Sequence, residues 1–180
     1  LGVHGFLKQR PDLVVSGINH GPDMGNDTAY SGTVAAAMEG TFLGIPSVAI
    51  SLAAGGNADF ESAGLVAQEL VRSFLAHGMR PGLCVNVNIP PIAREKMKGV
   101  RVTRLGKRVY RDVIVEKTDP RGKLYYWIGG EEPTWEEDEK SDFSAVSAGY
   151  VSVTPLIMEL TDYKAVVEME AWGLTLDAGE

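Results

Sequence analysis

Two patterns of apolar residues alternate through the first half of this chain. The run Asp12 to Ser16, built on Leu13, Val14 and Val15 and stopped by Gly17, suits a strand covered on both faces, as in a parallel sheet. A loop rich in Gly, Asn and Asp follows from 17 to 27. Ser31-Gly32-Thr33 then opens a segment in which Val34, Ala37, Met38 and Phe42 recur at helical spacing. Gly44 can close that helix, and Pro46 prevents its continuation. Ser47 to Leu52 predicts the next strand, so the unit is strand, loop, helix, strand, of the parallel right-handed kind. Leu65, Val66, Glu69, Leu70 and Phe74 predict an amphipathic helix over Asp59 to His77, ended by Gly78. Leu83 to Ile89 predicts another strand, stopped by Pro90-Pro91. This alternation favours an open α/β sheet.

The second half changes character. Val100 to Val115 and Leu124 to Ile128 are rich in Val, Ile, Tyr and Trp, and they flank Asp119-Pro120-Arg121-Gly122, which places Pro and Gly where a type I turn wants them. Tyr125, Tyr126 and Trp127 on such a hairpin would leave aromatic surface exposed unless another subunit covered it. The acidic stretch from Glu131 to Asp142 reads as a solvated loop. Tyr150 to Leu156 predicts a strand, and Asp162 to Trp172 a terminal helix with Asp162 near its N-cap.

Composition narrows the classes. A chain of 180 residues, 44% hydrophobic, can bury one substantial core but is short for two, so one domain over 1–180 is expected. A net charge of −7 argues against a nucleic-acid polymer as partner, without excluding a small phosphate ester. The single cysteine, Cys84, lies in a strand-like stretch and cannot form an internal disulfide, and no run suggests a membrane span or a signal peptide. A cytoplasmic protein without membrane attachment is the expectation. Leu1 to Leu7 reads as the middle of an apolar segment, which predicts that further sequence precedes it.

Ligands of open parallel sheets bind outside the carboxyl ends of the strands, so the loop after Ser16 is where chemistry is sought. It holds Asn19, His20, Asp23, Asn26, Asp27, Tyr30, Ser31 and Thr33. The amides of Gly32, Thr33 and Val34 would be unpaired donors at a helix N-terminus, an anion site to which Ser31 and Thr33 can add hydroxyls. A plain turn before a helix is the competing reading. Asn19 and His20 are candidate metal ligands, set against capping or Asx-turn roles, and Asp23 and Asp27 can either ligate a cation or fix the loop through backbone amides. Walker-type, dinucleotide-binding and nucleophile-elbow motifs are missing from the sequence. The cluster Arg101, Arg104, Lys107, Arg108 and Arg111 reads as a solvated face or as an electropositive rim.

At this loop a resemblance emerges. Pro11-Asp12-Leu13-Val14-Val15-Ser16-Gly17-Ile18-Asn19-His20-Gly21, followed by Tyr30-Ser31-Gly32-Thr33-Val34-Ala35-Ala36-Ala37-Met38-Glu39-Gly40, closely resembles the SurE family of stationary-phase survival proteins, which act as 5′/3′-nucleotidases. Matches continue through Gly44 to Leu52, Asn86 to Pro90, Gly99 to Arg104, Asp119 to Gly122 with Tyr126 to Gly129, and Asp142-Phe143 through Gly149 to Leu156. The resemblance implies a Rossmann-like, mostly parallel sheet with helices on both faces, a projecting β-hairpin arm for oligomerisation within 100–130, and a C-terminal helical segment over 157–180 exchanged between subunits. It implies one divalent cation per subunit, Mg²⁺ or Mn²⁺, with Asn19 as the metal ligand that maps onto this chain. The family's aspartate pair and metal-binding serine would lie upstream of Leu1. Asn19 and Ser31 are the implied catalytic positions, and Ser31, Gly32 and Thr33 the implied phosphate contacts. Asp23 stands where many relatives carry Asn, either weakening phosphate binding or adding a metal ligand. Nucleoside monophosphates are the implied substrates, with short polyphosphate left open, and a homodimer or homotetramer is implied. The 180-residue chain alone is then expected to be inactive. A nucleotide-binding module without catalysis and an oligomeric scaffold are the alternatives.

Overall fold

The computed structural model describes residues 2–56, 58–109, 112–130 and 134–176. Its centre is a five-stranded sheet. Three parallel strands, β1 (Val14–His20), β2 (Ser47–Leu52) and β3 (Cys84–Ile89), lie side by side in chain order. The sheet then continues through a strand at Val151–Leu156, antiparallel to β3, to β4 (Val100–Val102) at the far edge.

Helix α1 (Gly32–Phe42) and helix α2 (Phe60–His77) cover opposite faces of the sheet, because consecutive side chains of a strand point opposite ways. Val48, Ile50 and Leu52 of β2 join Val85, Val87 and Ile89 of β3 under Ala63, Val66 and Ala67 of α2. Ala49 and Cys84 face the other way, toward Val34 and Ala37 of α1. Gly40 lets α1 approach closely, since a Cβ there would fall 2.5 Å from Ser47 Oγ and 2.7 Å from a Val14 methyl. Asp59 caps α2 by accepting from the Ser62 amide, and Gly78, with φ of 72°, ends it. The α/β class, the mostly parallel sheet and the helices on both faces are as the sequence predicted.

Several details differ. β1 runs on to His20 and is not covered on both faces: its positions alternate between half-buried and exposed, with Val15 46% exposed, whereas every residue of β2 and β3 is buried. Among the described residues β1 has one neighbour within this sheet, β2, and so lacks the flanking cover that the inner strands share. The expected strand from Val100 to Val115 is broken into three. β4 joins the central sheet, β5 (Arg108–Val109) pairs with β8 (Thr134–Trp135), and β6 (Asp112–Thr118) pairs with β7 (Leu124–Gly130) as the hairpin. The projecting arm is thus narrower than 100–130. Its turn forms as expected, with the Gly122 amide donating to Asp119 O and the Arg121 and Lys123 amides to the Asp119 carboxylate. Helix α3 (Asp142–Ser147) precedes the Val151–Leu156 strand, which is β9. Within 157–180 only α4 (Tyr163–Glu170) is helical among the described residues, capped by Asp162, and 177–180 lie outside them.

Candidate functional site

Polar side chains cross the α1 face of the sheet in a row set by strand register. Asn19 of β1 lies opposite Ser51 of β2, Ser51 opposite Asn88 of β3, and Asn88 opposite Ser152 of β9. The loop after β1 folds back over this row and plants Asp23 in its middle. The Asp23 amide donates to Asn88 Oδ1 at 2.9 Å, and its carbonyl accepts from Asn86 Nδ2 at 2.7 Å and Asn88 Nδ2 at 2.9 Å. Its carboxylate Oδ2 accepts from Ser51 Oγ at 2.8 Å and from Asn19 Nδ2 at 3.2 Å. A carboxylate only 7% exposed needs such partners, because a buried charge without hydrogen bonds costs several kcal/mol. Asn19 Nδ2 also donates to Gly21 O. Held at its nitrogen by both Gly21 O and the Asp23 carboxylate, the Asn19 amide is fixed in orientation.

The loop enters α1 through a short 3-10 turn, Gly25–Tyr30. Ser31 is the N-cap, and its Oγ accepts from the Val34 amide at 3.1 Å. The expected anion site therefore shrinks: Val34 is satisfied by the cap, and the amides of Gly32 and Thr33 remain as the helix-end donors. Gly32 is exposed, and a Cβ added there would meet nothing within 4 Å. Because β1 ends where its connection to α1 begins, Asn19 and the N-terminus of α1 belong to the same edge of the sheet.

A second anchor escaped the sequence reading. Asp142, placed in the acidic stretch expected to be a solvated loop, is fully buried. Its Oδ2 accepts from the Gly25 amide at 2.8 Å, and its Oδ1 from the amides of Gly106 at 2.9 Å and Phe143 at 2.8 Å. One carboxylate thus ties the start of the 3-10 turn to the 104–106 loop and to α3. Burial pushes its pKa up, against the downward pull of those amides. Gly25, with φ of 54°, is packed so closely that a Cβ would fall 2.5 Å from Gly106 O. The legible signal was the helix-start pattern Ser141-Asp142 before Phe143, Ala145 and Val146.

The basic cluster is largely paired, in part by this acidic stretch. Arg104 pairs with Asp138 through two hydrogen bonds, Lys107 with Glu136 at 2.8 Å, and Arg108 with Asp27. Arg101 lies over the Tyr150 ring at 3.7 Å, and Arg111 lies outside the described residues. Arg101, Arg104 and Lys107 are exposed, so the cluster is a solvated face whose charges are largely paired. His20 meets Gly56 O at 3.1 Å and the edge of Phe60, a tether for the loop before α2.

A divalent cation of the Mg²⁺ or Mn²⁺ kind wants about six oxygen ligands, with carboxylates among them. Asn19 offers one amide oxygen, and the nearby carboxylate of Asp23 already accepts two hydrogen bonds. Among the described residues no group of three or more His, Cys, Asp or Glu is placed to hold a metal ion. These residues can contribute to a cation's shell but do not fit as its whole shell.

Known proteins align with this arrangement. The family profile described as "Survival protein SurE" matches residues 1–112. A protein named 5′-nucleotidase SurE from Symbiobacterium thermophilum is 47% identical over 175 residues, which cover 97% of this chain and 68% of that protein. Its namesake from Geobacter sulfurreducens is 45% identical over 176 residues, covering 97% and 67%. The crystal structure of SurE from Aquifex aeolicus superposes with a TM-score of 0.86 at 45% identity, covering 96% of this chain and 70% of the other. The chain spans about two thirds of the length of these relatives, and across that span fold, motif order and sequence agree: it belongs to the SurE family.

Proposed function

We infer that this chain carries the phosphate-binding part of a phosphatase acting on nucleoside monophosphates. The observation that carries the reading is the clamp on Asp23, which fixes the Asn19 amide by its nitrogen at the edge of the sheet where α1 begins. A phosphate approaching that edge meets the Gly32 and Thr33 amides and the positive end of α1, and the Thr33 hydroxyl can donate to another of its oxygens. Ser31 holds the first turn of α1 in shape through its cap, so its part is to position these donors. Asn19 Oδ1 would be one ligand of a divalent cation, which would need carboxylates besides. When bound, that cation supplies charge neutralisation at the phosphate. Relatives bearing the name 5′-nucleotidase SurE support the substrate class.

Asp23 acts here by orienting Asn19, as a hydrogen-bonded neighbour tunes a ligand. Asp23→Asn replaces one acceptor oxygen by a donor and sets an amide against the Asn19 amide. Its expected effect is a drop of roughly tenfold or more in affinity for the cation, as for loss of such supporting partners. Titration calorimetry with Mn²⁺ and inorganic phosphate tests this, and unchanged affinity for both would remove the orienting role. Because no group of three or more His, Cys, Asp or Glu is placed to hold a cation among the described residues, the 180-residue chain alone is expected to release no phosphate from nucleoside monophosphates; turnover by it contradicts that part.

A homo-oligomer is supported by surface that the chain leaves bare. Tyr126 and Trp127 on the hairpin are each 62% exposed, and no described residue of α4 is buried. Sedimentation of the chain at several concentrations distinguishes a dimer or tetramer from a monomer. Among the described residues no helix is long and apolar enough to cross a membrane.

A further inference from the structure

Past the row of polar side chains, the carboxyl ends of the three parallel strands open onto a cavity of about 580 Å³. Its wall is formed by Met24 after β1, Ala53 after β2, Pro90 after β3, and Phe143 and Val146 of α3. The volume lies within the range of small-molecule sites. The lining is chiefly apolar, and Lys96 and Lys98 stand exposed at the rim.

Register places this cavity relative to Asn19. Asn19 pairs with Ser51 and Ser51 with Asn88, and Ala53 and Pro90 lie two residues further along their strands toward the same edge. With strands about 4.8 Å apart and a rise of about 3.3 Å per residue, the cavity mouth is roughly 8–12 Å from Asn19. That is comparable with the reach of a nucleoside monophosphate from its phosphate to the far edge of its base.

The cavity also holds a surface suited to a base. The Phe143 ring is stacked on Trp135, with centroids 4.4 Å apart and planes at 20°. Phe143 is half-buried and lines this cavity, while Trp135 lies with it along the neighbouring one. Phe143 is also held in place from behind. Its amide donates to Asp142, and the helix that begins there is capped by Ser141, whose Oγ accepts from the Ser144 amide at 3.1 Å. A ring fixed in this way loses little freedom when a flat ligand stacks on it.

We propose that this cavity is the nucleobase subsite: the base extends the Trp135 and Phe143 stack, with purines favoured for their larger face. The Lys96 and Lys98 ammonium groups, which are donors only, then match the ring nitrogens or carbonyl of a purine edge. The proposal rests on the phosphatase reading for the phosphate half of the ligand, but its base half can be tested separately.

Dissociation constants of AMP, adenosine and ribose 5-phosphate are measured by calorimetry on the protein and on Phe143→Leu, which keeps apolar bulk but removes the stacking face. AMP is expected to bind at least about tenfold more tightly than ribose 5-phosphate, the size of one base–aromatic stack, and Phe143→Leu closes the gap while leaving ribose 5-phosphate unchanged. Ala53→Leu, which narrows the cavity from another wall, should close the same gap and decides the matter if Phe143→Leu fails to fold. An absent gap in the unaltered protein, or one that survives in a folded variant, overturns the subsite. Equal binding of AMP and adenosine, with the gap intact and sensitive to Phe143, would instead sink the phosphate reading and leave the base subsite standing.

Discussion

The two faces of β2 and β3 are made from the same short strands and are equally buried, yet they are built of different material. Toward α2 they present Val48, Ile50, Leu52, Val85, Val87 and Ile89, a continuous apolar surface. Toward α1 they present Ser47, Ala49, Ser51, Cys84, Asn86 and Asn88, all buried and mostly polar. Apolar contacts are tolerant of direction, whereas hydrogen bonds dictate it, so the first face supplies cohesion and the second fixes geometry. The loop that follows Asn19 and bears Asp23 is seated on the second. A loop over an apolar face could slide; one whose backbone is gripped by Asn86 and Asn88 at 2.7 and 2.9 Å cannot.

Adjacent residues of β2 put this contrast to its hardest test. Ile50→Ala empties a fully buried position on the apolar face and is expected to cost about 2–5 kcal/mol in urea unfolding. Affinity for inorganic phosphate at a temperature where the variant remains folded should not change. Ser51→Ala removes one hydrogen bond to the Asp23 carboxylate and is expected to cost only about 1–3 kcal/mol. It nevertheless should weaken cation and phosphate binding, because Asp23 is then free to release Asn19. If Ile50→Ala lowers affinity as much as Ser51→Ala does, the division between the faces is wrong.

Asp142 offers a smaller effect on the same theme, since it fixes the loop from the other side. Replacing it by Asn turns one acceptor oxygen into a donor that faces a backbone N–H, at about 1–3 kcal/mol. Burial raises its folded-state pKa, so the folded chain binds this proton more tightly than the unfolded chain does. The stability it contributes through that proton is fully present below its unfolded pKa, about 3.9, and is lost as pH rises through the raised folded value. The stability of the unaltered protein minus that of Asp142→Asn should therefore shrink with rising pH across that window. A difference that grows instead would show that the three amides outweigh burial.

What could be read in the sequence follows from how local each cause is. β2 was bounded to the residue, and α1 and α2 nearly so, because continuous burial, spacing, caps and Gly or Pro stops lie within the segment itself. The part of Asn19 in the motif was legible by resemblance. Its orientation was not, since that depends on Ser51 and Asn88, which are remote in the chain and reach it through strand register. Asp142 was hidden for the same reason, as its partners Gly25 and Gly106 are 117 and 36 residues away. The long strand expected over Val100 to Val115 failed because β propensity does not report where a chain turns to meet a distant carboxylate.

The least expected disturbance sits at the base of the polar face. Cys84 has no exposed surface and packs with Val34, Ala37 and Ala49 beneath α1. Burial pushes its thiol pKa up, outweighing a contact with the Thr41 hydroxyl, so the reactive thiolate is scarce in the folded state. A thiol reagent should leave the native protein unlabelled at neutral pH over a period in which the urea-unfolded chain is labelled completely. Labelling should accelerate in Ser51→Ala no more than its loss of global stability allows, because that variant loosens the loop and not the packing of α1 on the sheet. Faster labelling than this would mean that the polar network helps hold α1 down, and that cohesion and geometry are not divided between the two faces after all.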